Sequence, residues 1–309
     1  MAAHPATHPG PARARRGRLP GRARVREALT GYAFILPNLA LFAAFMFLPL
    51  AWTFVLSTQE TSGFGPVENV GLENYRAMFE DPVFWRSLIN TVGYAAISVP
   101  LSLAGGLGLA LLINKKLPGR GIFRSIYFIP TVISAVAAGL VCQWMFEENV
   151  GIVNKMITGL GLEAVAWQSS TVGAIVSVTI TTQWVGIGLF MVIYLASLQG
   201  IPREYYEAAA VDGANAWQQF RHITLPGLRG ATFFLVIYGI IGSFQVFDLI
   251  FVLTGGGPGD ATEVLGTYAY DRAFETRERG YGAAIGVVLY VLLMVVTIIQ
   301  WQANKRRED

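Results

Sequence analysis

Apolar and polar positions along this chain fall into long blocks. Six apolar stretches, at roughly 32–57, 87–114, 122–145, 171–198, 231–254 and 282–301, each reach the ~20 helical residues that a bilayer core about 30 Å thick requires. In hydrocarbon every backbone polar group must be bonded within its own segment, so the blocks predict helices. The expectation is an all-α membrane protein with six transmembrane helices, one domain over 29–309, preceded by a polar, disordered tail over 1–28. The first apolar run is too long for the core of a cleavable signal and has no small-residue cleavage pattern after it, so it reads as a retained anchor. Between the fourth and fifth stretches lies a polar loop, 199–230.

Composition agrees with the pattern. Of 309 residues, 53% are apolar and 14% charged, against roughly 25% charged in soluble domains. The one cysteine, Cys142, lies in an apolar run, and the three histidines are His4, His8 and His222. Such a set supplies no disulfide framework and no metal-ligand cluster, so neither metal nor cofactor is expected. Net charge is +3, but its placement matters more than its size. Arg13, Arg15, Arg16, Arg18, Arg22, Arg24 and Arg26 precede the first run. With that tail inside, Lys115, Lys116, Arg120, Arg124, Arg203, Arg221, Arg229, Lys305, Arg306 and Arg307 are inside too, and only six of the 23 basic residues face out. The excess of inside positive charge predicts both termini in the cytoplasm. No basic patch interleaved with aromatics follows, so no nucleic-acid partner is expected. The acidic residues Glu60, Glu68, Glu73, Glu80 and Asp81 read as a solvated outer surface.

Pro37, Pro49, Pro100 and Pro130 fall in or near the spans, where they kink or end helices. Gly105, Gly106 and Gly108 permit close helix approach. In the polar loop, Pro202 suits a first helical turn and Gly213 a left-handed cap. Asn215 with Gln218 forms a capping box, and Pro226 disfavours helix at Leu225. A helix–turn–helix hairpin is therefore predicted. Tyr205, Ala208, Ala209 and Asp212 share one face of its first helix, and two of the four are small.

Glu207-Ala208-Ala209, three residues, Gly213, nine residues, Ile223, one residue, Leu225-Pro226 matches a known signature. By it the chain resembles the permease subunit of binding-protein-dependent ABC importers of prokaryotic inner membranes, with the MetI-like arrangement of six spans. The segment Phe247-Asp-Leu-Ile-Phe-Val-Leu-Thr-Gly-Gly-Gly-Pro-Gly259, leading into Ala261-Thr-Glu263, resembles the sugar-importing branch. The resemblance implies that 199–230 holds a cytoplasmic coupling helix seated in a cleft of an ATPase dimer. Glu207 would then meet basic groups, Ala208 and Ala209 would allow tight seating, and Gly213 would supply the turn, with Tyr205, Asp212, Ile223, Leu225 and Pro226 completing the loop. It further implies a second permease, an extracytoplasmic solute-binding protein and a lipid membrane as partners.

Asp248 is the only acid in the apolar stretches, and burying it in a bilayer centre would cost about 2.5–3.5 kcal/mol. It is expected to face protein or a watery path, with Gln245 three residues before it on one face and Phe244 and Phe247 beside them. That mixture of hydrogen-bonding groups and rings suits a sugar; an interhelical hydrogen bond is the competing reading. Gln183 with Trp184, and Gln143 with Trp144, are further candidates. The run Gly255–Gly259 lacks a following Gly-Lys-Ser/Thr, so no phosphate-cradling loop is present and ATP hydrolysis falls to another subunit. A self-contained secondary transporter would show inverted repeats and more intramembrane titratable groups. A membrane enzyme would show a nucleophile with a base, or clustered metal ligands. Neither pattern is visible.

Overall fold

The computed structural model describes residues 21–61, 67–115 and 118–308, with the backbone alone at 21–28 and 304–308. The chain divides into two compact units, Met1–Trp52 and Thr53–Asp309. The first holds α1 (Gly21–Phe42), a π-turn at Ala43–Phe47 and the start of α2 (Leu48–Leu56). Residues 1–20 of the Arg-rich tail lie outside the described residues, whereas 21–28, expected to be disordered, are helical and belong to α1.

In the second unit a two-stranded ribbon, β1 (Gln59–Glu60) antiparallel to β2 (Glu68–Asn69), leads into α3 (Glu73–Glu80) and the long α4 (Pro82–Asn114). Then come α5 (Arg120–Val132), α6 (Ala135–Met145), α7 (Ile152–Gly159) and α8 (Thr171–Gln199). The polar loop contributes α9 (Arg203–Val211), α10 (Ala216–Gln219), a π-turn at Phe220–Thr224 and α11 (Leu225–Gly227). The chain ends with α12 (Arg229–Phe244), α13 (Asp248–Leu253), α14 (Leu265–Tyr270), a π-turn at Asp271–Glu275 and α15 (Arg279–Glu308).

Among the described residues four helices are long and apolar enough to span a bilayer: Leu29–Leu56, Pro82–Asn114, Thr171–Gln199 and Arg279–Ala303. The other two apolar stretches are not continuous helices. The third is α5 and α6, bent by 103°; α12 qualifies only together with Ala216–Gly227, bent by 64°, and the number of spans reaches six only if each bent pair counts once. At that bend Pro130 has no N–H for the preceding turn. Ile133 donates to Pro130 O at 3.2 Å, Ile133 and Ser134 turn extended, and a new helix starts from Ser134 O. The fifth breaks at 245–247, with no proline at the break. Here tertiary packing overrides local preference: Phe247 leaves the helical region (φ −141°, ψ −63°) and its ring packs on Phe251 and Tyr270, both with centroids 5.2 Å away.

The most extensive contact joins α4 to α8. A Cβ built on Gly106 would stand 2.5 Å from Phe190 Cβ and 3.0 Å from its backbone carbon, and one on Gly105 would meet Ile187. Gly108 faces open space, so two of the three expected glycines serve close approach. Across the same seam Ser102 Oγ donates to Gln183 Oε1 (2.8 Å), and Gln183 Nε2 donates to Ser98 Oγ (3.0 Å). Helix α5 joins at Gly188, whose added Cβ would lie 2.2 Å from Tyr127 O, and Thr131 Oγ1 donates to Val185 O. Ala110, Phe190, Met191, Tyr194, Leu228 and Leu235 fill a core where α4, α8 and α12 meet.

Gly106→Val is expected to cost on the order of 1–3 kcal/mol through overpacking, whereas Gly108→Ala stays within about 1 kcal/mol of the parent. Thermal unfolding of the purified chain in mild detergent reads both; equal losses would remove the seam from its central place.

Candidate functional site

Helix α9 starts after Pro202, which stands at the cap position one residue before the first turn. Its end is a Schellman closure: Gly213 adopts φ +78°, its N–H donates to Ala210 O (3.1 Å), and Ala214 N–H donates to Ala209 O (2.8 Å). The predicted capping box follows, with Gln218 N to Asn215 Oδ1 at 2.9 Å and Asn215 N to Gln218 Oε1 at 2.8 Å. Pro226 does not end the segment as its restriction on Leu225 suggested. Leu225 is helical (φ −61°, ψ −44°) because the π-turn before it widens the helix, with Leu225 N–H reaching back to Phe220 O. That register turns carbonyls away from a ring that would otherwise collide with the residue four earlier. The same Leu-Pro after a π-turn recurs at Leu48-Pro49, where Leu48 N–H meets Ala43 O.

The hairpin is locked from within. Tyr206 Oη and Thr224 Oγ1 share a 2.9 Å hydrogen bond, and Thr224 is buried. Gly227 lets Ile201 close in, since a Cβ there would lie 2.7 Å from Ile201 Cδ1. Tyr205, Ala208, Ala209 and Asp212 line one wall of a groove of about 760 Å³, and His222, Ile223 and Pro226 line the other. Glu207 and Gly213 are exposed at its margin, and Leu225 is exposed on another side of the return helix. Tyr206 was missed in the sequence because only the tertiary pairing with Thr224 separates it from its neighbour Tyr205.

The residues expected along a solute path are not brought into one cavity. Gln183 and Trp184 line a mostly apolar space of about 530 Å³ between α4, α5 and α8. Both ends of the Gln183 amide are bonded across the seam, to Ser98 and Ser102. Asp248 is not within a continuous fifth span. It is the first residue of α13, exposed, beyond a break that also removes Gln245 from its helical face; Gln245 caps α12 and is exposed. Phe244 is buried, and Phe247 stacks on Phe251. Trp144 is exposed and Gln143 half-buried.

The acidic loop before α4 differs from a solvated surface at one residue. Asp81 caps α4 by accepting from Val83 N–H (2.8 Å), and its other oxygen accepts from Tyr281 Oη (2.7 Å) and from Tyr268 Oη. Arg272 lies 3.9 Å from that oxygen, donates from Nε to Tyr268 Oη (3.0 Å), and pairs with Glu278 at 3.0 Å. Burial alone would raise the Asp81 pKa, but the hydrogen bonds from Tyr268, Tyr281 and Val83 with the Arg272 charge outweigh it and hold the carboxyl below its ordinary value. Burial and the bond to Asp81 push Tyr268 up to about 12, so it remains a donor. Asp81, Arg272, Glu278 and Tyr281 wall a cavity of about 520 Å³ together with Glu73 and Asn74. Asp81-Pro82 before an apolar run was the available signal, as an N-cap followed by proline in the first turn.

Comparison with known proteins places this geometry. Residues 102–308 match the family model described as "Binding-protein-dependent transport system inner membrane component". The chain belongs to this family. Relatives of the permease include the probable ABC transporter permease protein YurN of Bacillus subtilis, 37% identical across 90% of this chain and 97% of that protein. The trehalose/maltose transport system permease protein MalF of Thermococcus litoralis is 34% identical across 94% and 99%. The sulfoquinovosyl glycerol transport system permease protein SmoG of Agrobacterium fabrum is 39% identical across 81% of each. A chain in the crystal structure of a bacterial alginate ABC transporter, in complex with an alginate pentasaccharide-bound periplasmic protein, superposes with a TM-score of 0.82. It is 23% identical, covers 92% of the permease and 96% of its own length, and shares the fold. The permease is therefore a multi-pass membrane protein with the helical arrangement of ABC importer permeases.

Two outcomes follow from these contacts. Gly213→Val forces a β-branched residue into the left-handed region and is expected to cost at least about 1–2 kcal/mol, loosening the hairpin to protease while leaving the rest of the bundle protected. Asp81→Asn is expected to lower stability at neutral pH on the order of 1–3 kcal/mol. A carboxyl with a depressed folded pKa stabilises above its unfolded pKa, about 3.9, and loses that contribution as pH falls through the folded value. The gap between Asp81→Asn and parent melting curves therefore closes on acidification; a pH-independent gap would contradict the assignment.

Proposed function

We propose that this chain is one of two permease subunits of an ABC importer, carrying a sugar or related polyol handed over by an extracytoplasmic binding protein. The carrying observation is the hairpin at 199–230: a short, small-faced helix closed by a Schellman turn and braced by Tyr206 and Thr224 into a rigid handle beside an open groove. A lone helix of about ten residues is marginal in water, so the bracing supports its use as a mechanical part. In this reading Ala208 and Ala209 allow an ATPase to seat closely, Tyr205, Asp212, Ile223 and Pro226 shape the groove, exposed Glu207 meets basic groups, Leu225 continues the return arm, and Gly213 keeps the turn. Nucleotide-driven closure of an ATPase dimer pulls the handle and rocks the bundle, a rigid-body change of access.

The placement of basic residues supports a cytoplasmic location for the hairpin and both termini. Taking each bent pair as one crossing, 29–309 forms a six-span domain behind the Arg-rich tail. Sugar as cargo is supported by relatives named for trehalose/maltose and for sulfoquinovosyl glycerol transport. Trp184, with Gln183 held behind it, and the exposed Gln245 and Asp248 at the break flanked by Phe244 and Phe247 offer rings and hydrogen-bonding groups to such a solute.

The docking role is tested with Ala209→Cys in a chain whose native Cys142 is replaced. Crosslinking to the co-purified ATPase is expected, and Ala208→Trp is expected to reduce solute-stimulated ATP hydrolysis about tenfold or more through overpacking on the order of 1–3 kcal/mol. Absence of crosslinks in a transport-competent complex, with full activity of Ala208→Trp, would falsify the role. Sugar cargo is read from uptake of labelled sugars by reconstituted vesicles containing all subunits.

A further inference from the structure

The two arms of the hairpin carry opposite charge. From Arg203 to Asp212 there are three acids and one base, whereas from Gly213 through Phe247 there is no acid, and Arg221 and Arg229 are both exposed. The return arm, Ala216–Gly227, meets α12 at a bend of 64°. With α12 crossing near the bilayer normal, the arm runs close to the membrane plane. Trp217 lies eleven residues before Leu228, about 16 Å along a helix, which at that angle lifts it only about 7 Å from the membrane entry of α12. A headgroup layer is about 5–8 Å thick on each side.

The face turned away from the groove matches that depth. Trp217, Arg221 and Leu225, spaced four apart, share one side of the arm. Trp217 is 66% and Leu225 40% exposed, and Phe220 packs on Trp217 with ring centroids 5.5 Å apart. None of these four lines the groove, whose wall on this arm is His222, Ile223, Pro226 and Gly227. An exposed Trp and Leu with Arg221 between them and no acid on the arm suit the boundary between headgroups and acyl chains, where a long arginine side chain reaches up to the phosphates. Trp is favoured where one side of a ring is apolar and the other wet.

We infer that the return arm is an interfacial anchor seated on anionic phospholipid headgroups, with Trp217 and Leu225 in the boundary layer and Arg221 and Arg229 on lipid phosphate. This rests on α12 being a span, as the proposed permease requires. The arm then bears on the bilayer while the acidic α9 faces the aqueous side. A force applied to α9 turns against the membrane surface and passes into α12 instead of lifting the loop.

The test uses the full-length chain in nanodiscs of equimolar phosphatidylcholine and phosphatidylglycerol, with one or the other lipid brominated. The fluorescence difference between the parent and Trp217→Phe isolates Trp217. Expected is quenching without any ATPase, greater from brominated phosphatidylglycerol, with Arg221→Gln or high salt reducing the excess by up to about fivefold. No quenching by either lipid overturns the anchor, as does shielding of Trp217 only when ATPase is added, which assigns the face to a protein. Equal quenching by both lipids, or an excess insensitive to salt, overturns the anionic contact even if Arg221→Gln fails to fold. Crosslinking of Ala209→Cys to the ATPase reads the coupling role separately, so either reading can fall alone.

Discussion

Lipid tails are as apolar as the helices they surround, so a membrane bundle cannot rely on expelling water and must hold by close packing and hydrogen bonds. In this chain that constraint is met along the seam of α4 with α8. Gly106 admits Phe190 at backbone distance, and three polar side chains of the same seam, Ser98, Ser102 and Gln183, hydrogen-bond one another across it. Helix α5 is set against this pair through Gly188, and α12 through Gly239, whose added Cβ would stand 3.3 Å from Val99 and Phe190. The hairpin is tied to this frame at both ends, because α8 ends just before α9 begins and α12 starts where the return arm stops.

Helix irregularity is concentrated at a few points along the chain. Leu-Pro after a π-turn appears twice, at Leu48-Pro49 and Leu225-Pro226, and in each case the widened turn lets a proline remain in a helix. The bend between α5 and α6 follows Pro130, and the break between α12 and α13 is held by an aromatic cluster of Phe247, Phe251 and Tyr270. Hinge and shear changes in proteins draw on such points between rigid pieces. Asp81, capping α4 while gripping Tyr281 of α15 and Tyr268 of α14, ties three elements at the other end of the seam.

Much of this was legible in the residues alone. The apolar blocks located the membrane-spanning regions, since lipid permits few alternatives, and the spacing from Glu207 to Pro226 picked out the hairpin. Gly213 as a left-handed cap and the Asn215–Gln218 box are interactions within a few residues, so local rules sufficed and both are present as expected. Tyr268 and Tyr281 lie nearly two hundred residues from Asp81, and nothing near Asp81 in the chain announces them.

The apolar third and fifth stretches read as single spans because hydropathy averages over a window and is blind to direction. Only packing, which demands that Phe247 leave the helix for Phe251 and Tyr270, breaks the fifth and moves Asp248 from the outer part of a span to an exposed helix start. Likewise the amide of Gln183 has the same polarity whether it meets a solute or a serine, and only the helix face opposite brings Ser98 and Ser102 to it. Short-range stereochemistry and the cost of polar groups in lipid thus account for the elements and their caps; partners across the bundle account for where helices break and which polar groups stay free.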